Sequence, residues 1–100
     1  MIKVSRIKSE VDKELVYKVL IDGNENEELK NGQNKILKLR SNSYKIQIES
    51  KGIKSNVITF TVGNSNDYNF VCYPSYKNNF ISRFIHKDIL KKGIVLKLDK

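Results

Sequence analysis

The most constraining feature of this chain is a pair of alternating stretches within residues 43–63. The first, SYKIQIE, places a tyrosine and two isoleucines at every second position, and the second, ITFTV, does the same with Ile, Phe and Val. Side chains of a β-strand point alternately to its two faces, so a period of two with β-branched and aromatic residues predicts strands with one buried face. Lys51-Gly52 lies between them and predicts the turn of a hairpin.

Turn signals recur along the rest of the chain about every ten residues, apart from one longer gap. They lie at Gly23, Gly32, Ser41-Asn42, Gly52, Gly63, Pro74 and Gly93. This spacing is typical of a β-sandwich or a small barrel, and no segment is long enough to be a crossover helix between parallel strands. We therefore predict a single all-β domain over residues 1–100, an antiparallel β-sandwich of about seven short strands.

Two further strands have a predicted place in the sheets. The first, with Ile2, Val4 and Ile7, carries alternating charges that would discourage edge-to-edge pairing, so we predict an edge strand. Leu15–Asp22 has apolar residues on both faces and is predicted to be central. The expected core contains Tyr17, Val19, Ile21, Leu37, Leu39, Tyr44, Ile46, Ile48, Ile58, Phe60, Val62, Phe70 and Leu96.

The longer gap, Asn79–Lys92, fits a strand poorly because either alternate set mixes apolar and charged residues. At helical spacing its Phe and Ile side chains share about half of the circumference, and Ser82, Arg83 and His86 lie opposite. We predict a short helical or irregular segment here, close to the C-terminus.

The formal charge of +8 invites a nucleic-acid or anionic-membrane partner. However, the basic residues are 16 Lys and three Arg, whereas base and phosphate recognition favours Arg. The 11 Asn, 12 Ile and absence of Ala also indicate A/T-rich codons as a source of the lysines. The charge is uneven: residues 1–30 have a net charge of −1 and residues 31–100 of +9. An anionic partner is expected to meet the C-terminal two-thirds.

The localisation expected from the sequence is cytoplasmic, with membrane association as a possibility. Cys72 is the single cysteine, so no internal disulfide forms and a reducing compartment is the default. The N-terminus lacks the apolar core of a signal peptide, and no window approaches the ~18 apolar residues of a membrane helix. If the chain is complete, these features indicate the cytoplasm; in a fragment the localisation stays open.

A series of short motifs carries a resemblance. In order they are Ile21-Asp22-Gly23, Leu29-Lys30-Asn31-Gly32, Leu37-x-Leu39, Tyr44-x-Ile46-x-Ile48, Ser55, Phe60-x-Val62 and Phe70-x-Cys72. Together they resemble small bacterial β-sandwich domains of the PEGA and carboxypeptidase-regulatory-like kind, including proteins of Gram-positive bacteria. Ser41-Asn42-Ser43 stands where such domains usually have Pro-Gly, and the Pro-Glu-Gly-Ala motif is absent. The resemblance covers Tyr17–Cys72; it implies a non-enzymatic module, often near the cell surface or membrane, and brings no site residues.

Catalytic and metal-binding interpretations find little support. Cys72 and His86 are the sole thiol and imidazole, but Cys72 falls in an apolar alternation typical of a buried structural cysteine. One Cys and one His cannot form a closed metal site, and the cluster of Glu25, Glu27 and Glu28 lacks the spacing of a calcium loop. The five glycines are isolated turn residues and form no phosphate-binding loop. We expect no enzyme activity, cofactor, metal or small-molecule substrate.

The sequence therefore predicts a non-catalytic structural or interaction module, with a protein or an anionic membrane surface as partner. The predicted anionic-surface patch consists of Lys77, Arg83, Lys87, Lys91, Lys92, Tyr76 and Phe84. The other interpretation of this segment is that its apolar half docks onto the sandwich and its charges face water. The alternative function is a small basic OB-like barrel that binds single-stranded nucleic acid, with Tyr73, Tyr76 and Lys77 around Pro74.

Overall fold

Nine β-strands make up the part of the chain that the computed structural model describes, residues 1–63, 67–75 and 93–99. They are β1 (Ile2–Arg6), β2 (Tyr17–Ile21), β3 (Asn24–Leu29), β4 (Asn34–Leu37), β5 (Asn42–Ser50), β6 (Ile53–Lys54), β7 (Ile58–Val62), β8 (Tyr68–Pro74) and β9 (Ile94–Asp99). A four-stranded sheet has the order β4-β1-β8-β9. A five-stranded sheet has the order β3-β2-β5, with β6 and β7 both paired to the free side of β5. The two sheets share one apolar core, which confirms the predicted all-β sandwich.

The predicted hairpin is present, with β5 and β7 as its two longer strands. Tyr44 lies opposite Phe60, and Ile46 lies opposite Ile58. Lys51 and Gly52 make the turn with φ values of 49° and 80°, and the short β6 continues the pairing immediately after it. The strand that returns along β5 is therefore interrupted, and residues 55–57 separate β6 from β7.

The prediction for the N-terminal strand is wrong in two respects. β1 is a central strand, between β4 and β8, and its pairing with β8 is parallel, with Ile2 opposite Tyr68 and Arg6 opposite Cys72. The other described strand pairs are antiparallel, as predicted. Parallel neighbours need a long crossover connection. Here the five-stranded sheet itself lies within that connection, so no crossover helix is required.

Most of the predicted core is buried. The confirmed residues are Tyr17, Val19, Ile21, Leu37, Ile46, Ile48, Phe60, Phe70 and Leu96. The other four predicted residues, Leu39, Tyr44, Ile58 and Val62, are partly exposed and pack against the cluster from its rim. The core also contains Ile2, Val4, Leu29, Cys72 and Ile94.

The space between the two sheets is closed along both sides by polar side chains. On one side, the Asn56 amide lies against the edge of β9: Leu96 N–H donates to Asn56 Oδ1, and Asn56 Nδ2 donates to Leu96 O, each at 2.9 Å. On the other side, the Lys35 ammonium lies 3.4 Å from Glu27 Oε1 and joins β4 to β3. The predicted helical segment, Asn79–Lys92, lies outside the described residues.

Candidate functional site

All seven residues of the predicted anionic-surface patch fall within residues 76–92, outside the described ranges. The structure does define the two points from which this segment starts and ends. Ser75 N–H donates to Gly93 O at 2.9 Å, directly beyond the last β8–β9 pair, Pro74 and Ile94. The segment is thus attached at both ends to one end of the four-stranded sheet.

The charge of the chain is concentrated in the same segment. The described residues carry thirteen basic and ten acidic side chains, a net charge of +3. Residues 76–92 carry five basic and one acidic side chain, a net charge of +4, which is half of the formal charge of +8. The density of positive charge along the sequence is therefore highest in residues 76–92, which follow β8 and precede β9.

The outward face of β8 and β9 beside this end carries a small mixed surface, which we call the β8–β9 patch. It consists of Val71, Tyr73, Val95 and Lys97. Phe70, Cys72, Ile94 and Leu96 point into the core, so the alternating residues between them point outward. Tyr73 lies opposite Val95, and Val71 lies opposite Lys97.

The β8–β9 patch also carries a positive charge, the ammonium group of Lys97. The Lys97 ammonium lies 5.7 Å from the centroid of the Tyr73 ring, within the range of a cation–π contact. Lys97 is exposed, while Val71, Tyr73 and Val95 are half-buried. The patch thus offers an aromatic and aliphatic surface with an exposed lysine, next to the start of the basic segment.

Cys72 is the buried structural cysteine that the sequence predicted. Its side chain is 0% exposed, and burial raises the pKa of its thiol from 9.0 to about 12, an effect that the nearby Arg6 charge partly offsets. The thiol therefore stays protonated near neutral pH, and a protonated thiol is a poor nucleophile. His86, the other member of the hypothetical catalytic pair, lies outside the described residues.

Sequence reasoning missed Arg6, which is 2% exposed and is the charged residue buried in the described part of the chain. Its guanidinium donates to the carbonyl oxygens of Asp12, Leu15 and Leu29 and lies 3.7 Å above the centroid of the Tyr17 ring. Tyr17 in turn donates its hydroxyl to Asp12 Oδ2 at 3.0 Å, and burial together with this carboxylate raises its pKa. The sequence could have indicated that Arg6 is buried, because Arg6 continues the alternation of Ile2 and Val4 along β1.

The acidic cluster belongs to strand β3 and not to a turn. Glu25 lies 3.6 Å from the Lys18 ammonium, and Glu27 pairs with Lys35. Among the described residues, no group of three His, Cys, Asp or Glu side chains is placed to hold a metal ion. The carboxylates of β3 are therefore neighbours of lysines on adjacent strands.

One groove of about 310 Å³ lies on the five-stranded sheet, lined by Asp22, Gly23, Lys45, Gln47 and Val57. The side chains of Asp22 and Gln47 in this groove already form hydrogen bonds with the backbone of neighbouring segments. Lys45 N–H donates to Asp22 Oδ1 at 2.9 Å, where β2 has ended, and Gln47 Nε2 donates to the carbonyl of Ser55 at 2.8 Å. These groups extend the sheet beyond its regular ladder.

Comparison of the chain with protein-family models, with curated proteins and with solved structures finds no match. The resemblance to PEGA-like domains therefore stays a prediction. Within the described ranges, no helix has the length and apolar character that a membrane crossing requires.

Proposed function

We propose that this chain is a non-catalytic interaction module that binds an anionic protein or membrane surface with the β8–β9 end of its four-stranded sheet. The observation that carries the proposal is the concentration of charge. Half of the net charge lies in residues 76–92, whose ends are held together by the Ser75–Gly93 hydrogen bond. The β8–β9 patch supplies an aromatic residue and an exposed lysine next to Ser75 and Gly93.

The use of the other reactive groups supports a binding function over a catalytic one. The thiol of Cys72 lies in the core, and the guanidinium of Arg6 is engaged by three backbone carbonyls and a tyrosine ring. The polar side chains of the groove at Asp22 and Gln47 bond to the backbone. Each of these side chains therefore has a structural role in the sandwich.

A second candidate, binding of single-stranded nucleic acid, is favoured by one observation. Tyr73 is half-buried on an outward sheet face with a lysine ammonium beside its ring, an arrangement on which a base can stack while the charge meets a phosphate. The closed barrel that accompanied this alternative is not what the described strands form, because they make two sheets.

Co-sedimentation with vesicles tests the membrane form of the proposal. Binding to anionic vesicles, absent with neutral ones, should weaken by more than about fivefold in Lys97→Glu, since loss of a basic residue near an anionic surface costs about 1 kcal/mol and the new carboxylate is also repelled. Lys45→Glu is the matched control, because Lys45 is exposed on the outward face of the other sheet. Equal losses in the two variants would contradict the assignment of binding to the β8–β9 end.

Two further probes separate the remaining partners. Binding to polyglutamate in place of vesicles would identify an acidic protein surface. Binding to single-stranded DNA with a steep salt dependence, lost in Tyr73→Ala, would favour the second candidate. If none of the three anionic probes binds better than its neutral counterpart, the interaction proposal is wrong.

A further inference from the structure

The turn between β3 and β4 contains Asn31-Gly32, and none of the other ten asparagines in the sequence precedes a glycine. The Asn31 side chain is bound at both of its polar atoms. Ser9 N–H donates to Asn31 Oδ1 at 2.9 Å, and Asn31 Nδ2 donates to Ser9 O at 3.0 Å. This pair, which we call the Ser9 clamp, ties the connection between β1 and β2 to the β3–β4 turn.

We propose that Asn31 is a deamidation site whose reaction is controlled by opening of the Ser9 clamp. In this reaction the backbone nitrogen of Gly32 loses its proton to solvent hydroxide and attacks Asn31 Cγ. The new N–Cγ bond closes a five-membered imide, the Cγ–Nδ2 bond breaks, and Nδ2 leaves as ammonia after taking a proton from water. Water then opens the imide at either carbonyl, which gives an aspartate or an isoaspartate at position 31.

The residue that follows Asn31 makes the attack feasible. Glycine has no side chain to shield its nitrogen, and its backbone is freer than that of any other residue. Gly32 has a φ of 76°, which the turn requires and other residues rarely adopt. Gln33 N–H closes the turn on Lys30 O at 2.9 Å, so Asn31 and Gly32 occupy its two central positions.

The Ser9 clamp opposes the same attack in the folded protein. Because both amide atoms of Asn31 are hydrogen-bonded to Ser9, Cγ cannot rotate towards the nitrogen of Gly32 until these two bonds break. Gly32 itself lies against Lys8, since a Cβ at this glycine would be 3.4 Å from Lys8 Cβ. Deamidation therefore proceeds through a locally opened state, and its rate reports the population of that state.

The product cannot restore the Ser9 clamp. A carboxylate at position 31 still accepts from Ser9 N–H, but it has no donor for Ser9 O and places a second oxygen against it. The other end of the connection stays attached, because Arg6 donates to Asp12 O and Leu15 O. A single chemical event thus permanently removes one of the two hydrogen bonds that hold residues 8–11 against the β3–β4 turn.

Peptide mass spectrometry tests the control by the Ser9 clamp. The folded protein and the urea-unfolded chain are incubated at mildly alkaline pH, and the mass change from amide to acid is followed at position 31. We expect the folded chain to react at least about tenfold more slowly, as two hydrogen bonds must open first. Equal rates in the two states would overturn the proposal.

Substitution of Ser9 gives a matched pair of variants. Ser9→Pro removes the N–H donor of the clamp and should accelerate deamidation about fivefold, the equivalent of one net hydrogen bond. Ser9→Ala keeps that N–H and removes only the hydroxyl that accepts from Val11 N–H, so its rate should match the wild type. An unchanged rate in folded Ser9→Pro would contradict control by the clamp.

A second measurement examines the product and does not depend on Ser9→Pro being folded. Hydrogen exchange of residues 8–11 should be at least about fivefold faster in Asn31→Asp than in the wild type. Residues 46–48 in the core provide the internal reference. Unchanged exchange at residues 8–11 would show that the clamp does not hold this connection and would overturn the proposal.

Discussion

Replacement of Asn56 by alanine tests whether a side-chain amide holds the edge of β9. In the structure this amide forms two hydrogen bonds of 2.9 Å with the backbone of Leu96, a residue that is 2% exposed. Each such bond contributes about 1 kcal/mol net, so Asn56→Ala should lower the free energy of unfolding by about 2 kcal/mol. For a domain of this size, the midpoint of thermal unfolding should fall by roughly 10 °C.

Urea denaturation is the appropriate measurement. The chain has five tyrosines and no tryptophan, so unfolding is followed by tyrosine fluorescence and circular dichroism. With an m-value of about 1 to 2 kcal/mol/M, the urea midpoint should fall by about 1 to 2 M at an unchanged slope. Asn26→Ala is the control, because Asn26 is exposed at the irregularity of β3 and should change stability by less than about 0.5 kcal/mol.

Asn56→Asp separates the two bonds. The carboxylate still accepts from Leu96 N–H, but it cannot donate to Leu96 O and places a negative charge beside that oxygen, so this variant should lose at least half as much stability as Asn56→Ala. Both variants also uncover backbone groups on an edge strand, and they should self-associate more readily than the wild type in sedimentation velocity. If Asn56→Ala is as stable as Asn26→Ala, the amide does not hold this edge and the reasoning fails.

Two further predictions follow from the buried polar residues. Cys72 should contribute a loss of up to about 4 kcal/mol of stability between pH 9 and about pH 12, because its thiol releases its proton near 9.0 in the unfolded chain and near 12 when buried, so alkali stabilises the unfolded chain. The raised pKa of Tyr17 acts in the same direction and is common to the wild type and the Cys72 variant. Urea titrations between about pH 8 and about pH 11 should show a smaller decline in Cys72→Ala, and identical slopes would contradict the raised pKa. Arg6→Lys should lower stability by about 3 kcal/mol, since an ammonium cannot lie flat on the Tyr17 ring and reach three carbonyls. Thermal unfolding beside the exposed control Arg40→Lys checks this, and an equal effect in both variants would refute it.

The sequence was sufficient for elements whose pairing partners are close along the chain. The alternation in residues 44–48 and 58–62, with the turn at Lys51-Gly52 between them, gave the correct hairpin, because a short turn limits the possible pairings. The same rule located β2, whose apolar residues on both faces correctly indicated a central strand. Cys72 was also correctly assigned to the core from its alternation with Phe70.

The errors concern charge and long-range pairing. The charges around β1 predict an edge strand, but Arg6 points inward with Ile2 and Val4. Its two terminal nitrogens donate to the backbone carbonyls of residues 12, 15 and 29. Composition cannot reveal such a partner, because it depends on where residues 12–29 lie in the fold. The roles of Asn31 and Asn56 are likewise not evident from the sequence. Their side chains act as strand partners for Ser9 and Leu96, which lie 22 and 40 positions away.

The sequence predicts the basic half of the proposed site but not the β8–β9 patch. The basic character of residues 76–92 is evident from the sequence alone, whereas the β8–β9 patch depends on the register that brings Tyr73 opposite Val95. Burial of inward residues such as Cys72 and Leu96 fixes that register. The same register then places the outward Tyr73 opposite Val95.

The parallel pairing of β1 with β8 determines when each half of the sandwich can form. The strands of the five-stranded sheet lie within residues 17–62, and their contacts are comparatively local. The four-stranded sheet must wait for residue 68 to meet residue 2, which closes a long loop at a high entropic cost. During synthesis we therefore expect the five-stranded sheet to emerge with its apolar face uncovered and β1 unpaired on that side. β8 then pairs with β1, and β9 pairs with β8, so completion of the core and formation of the proposed binding end occur in the same step.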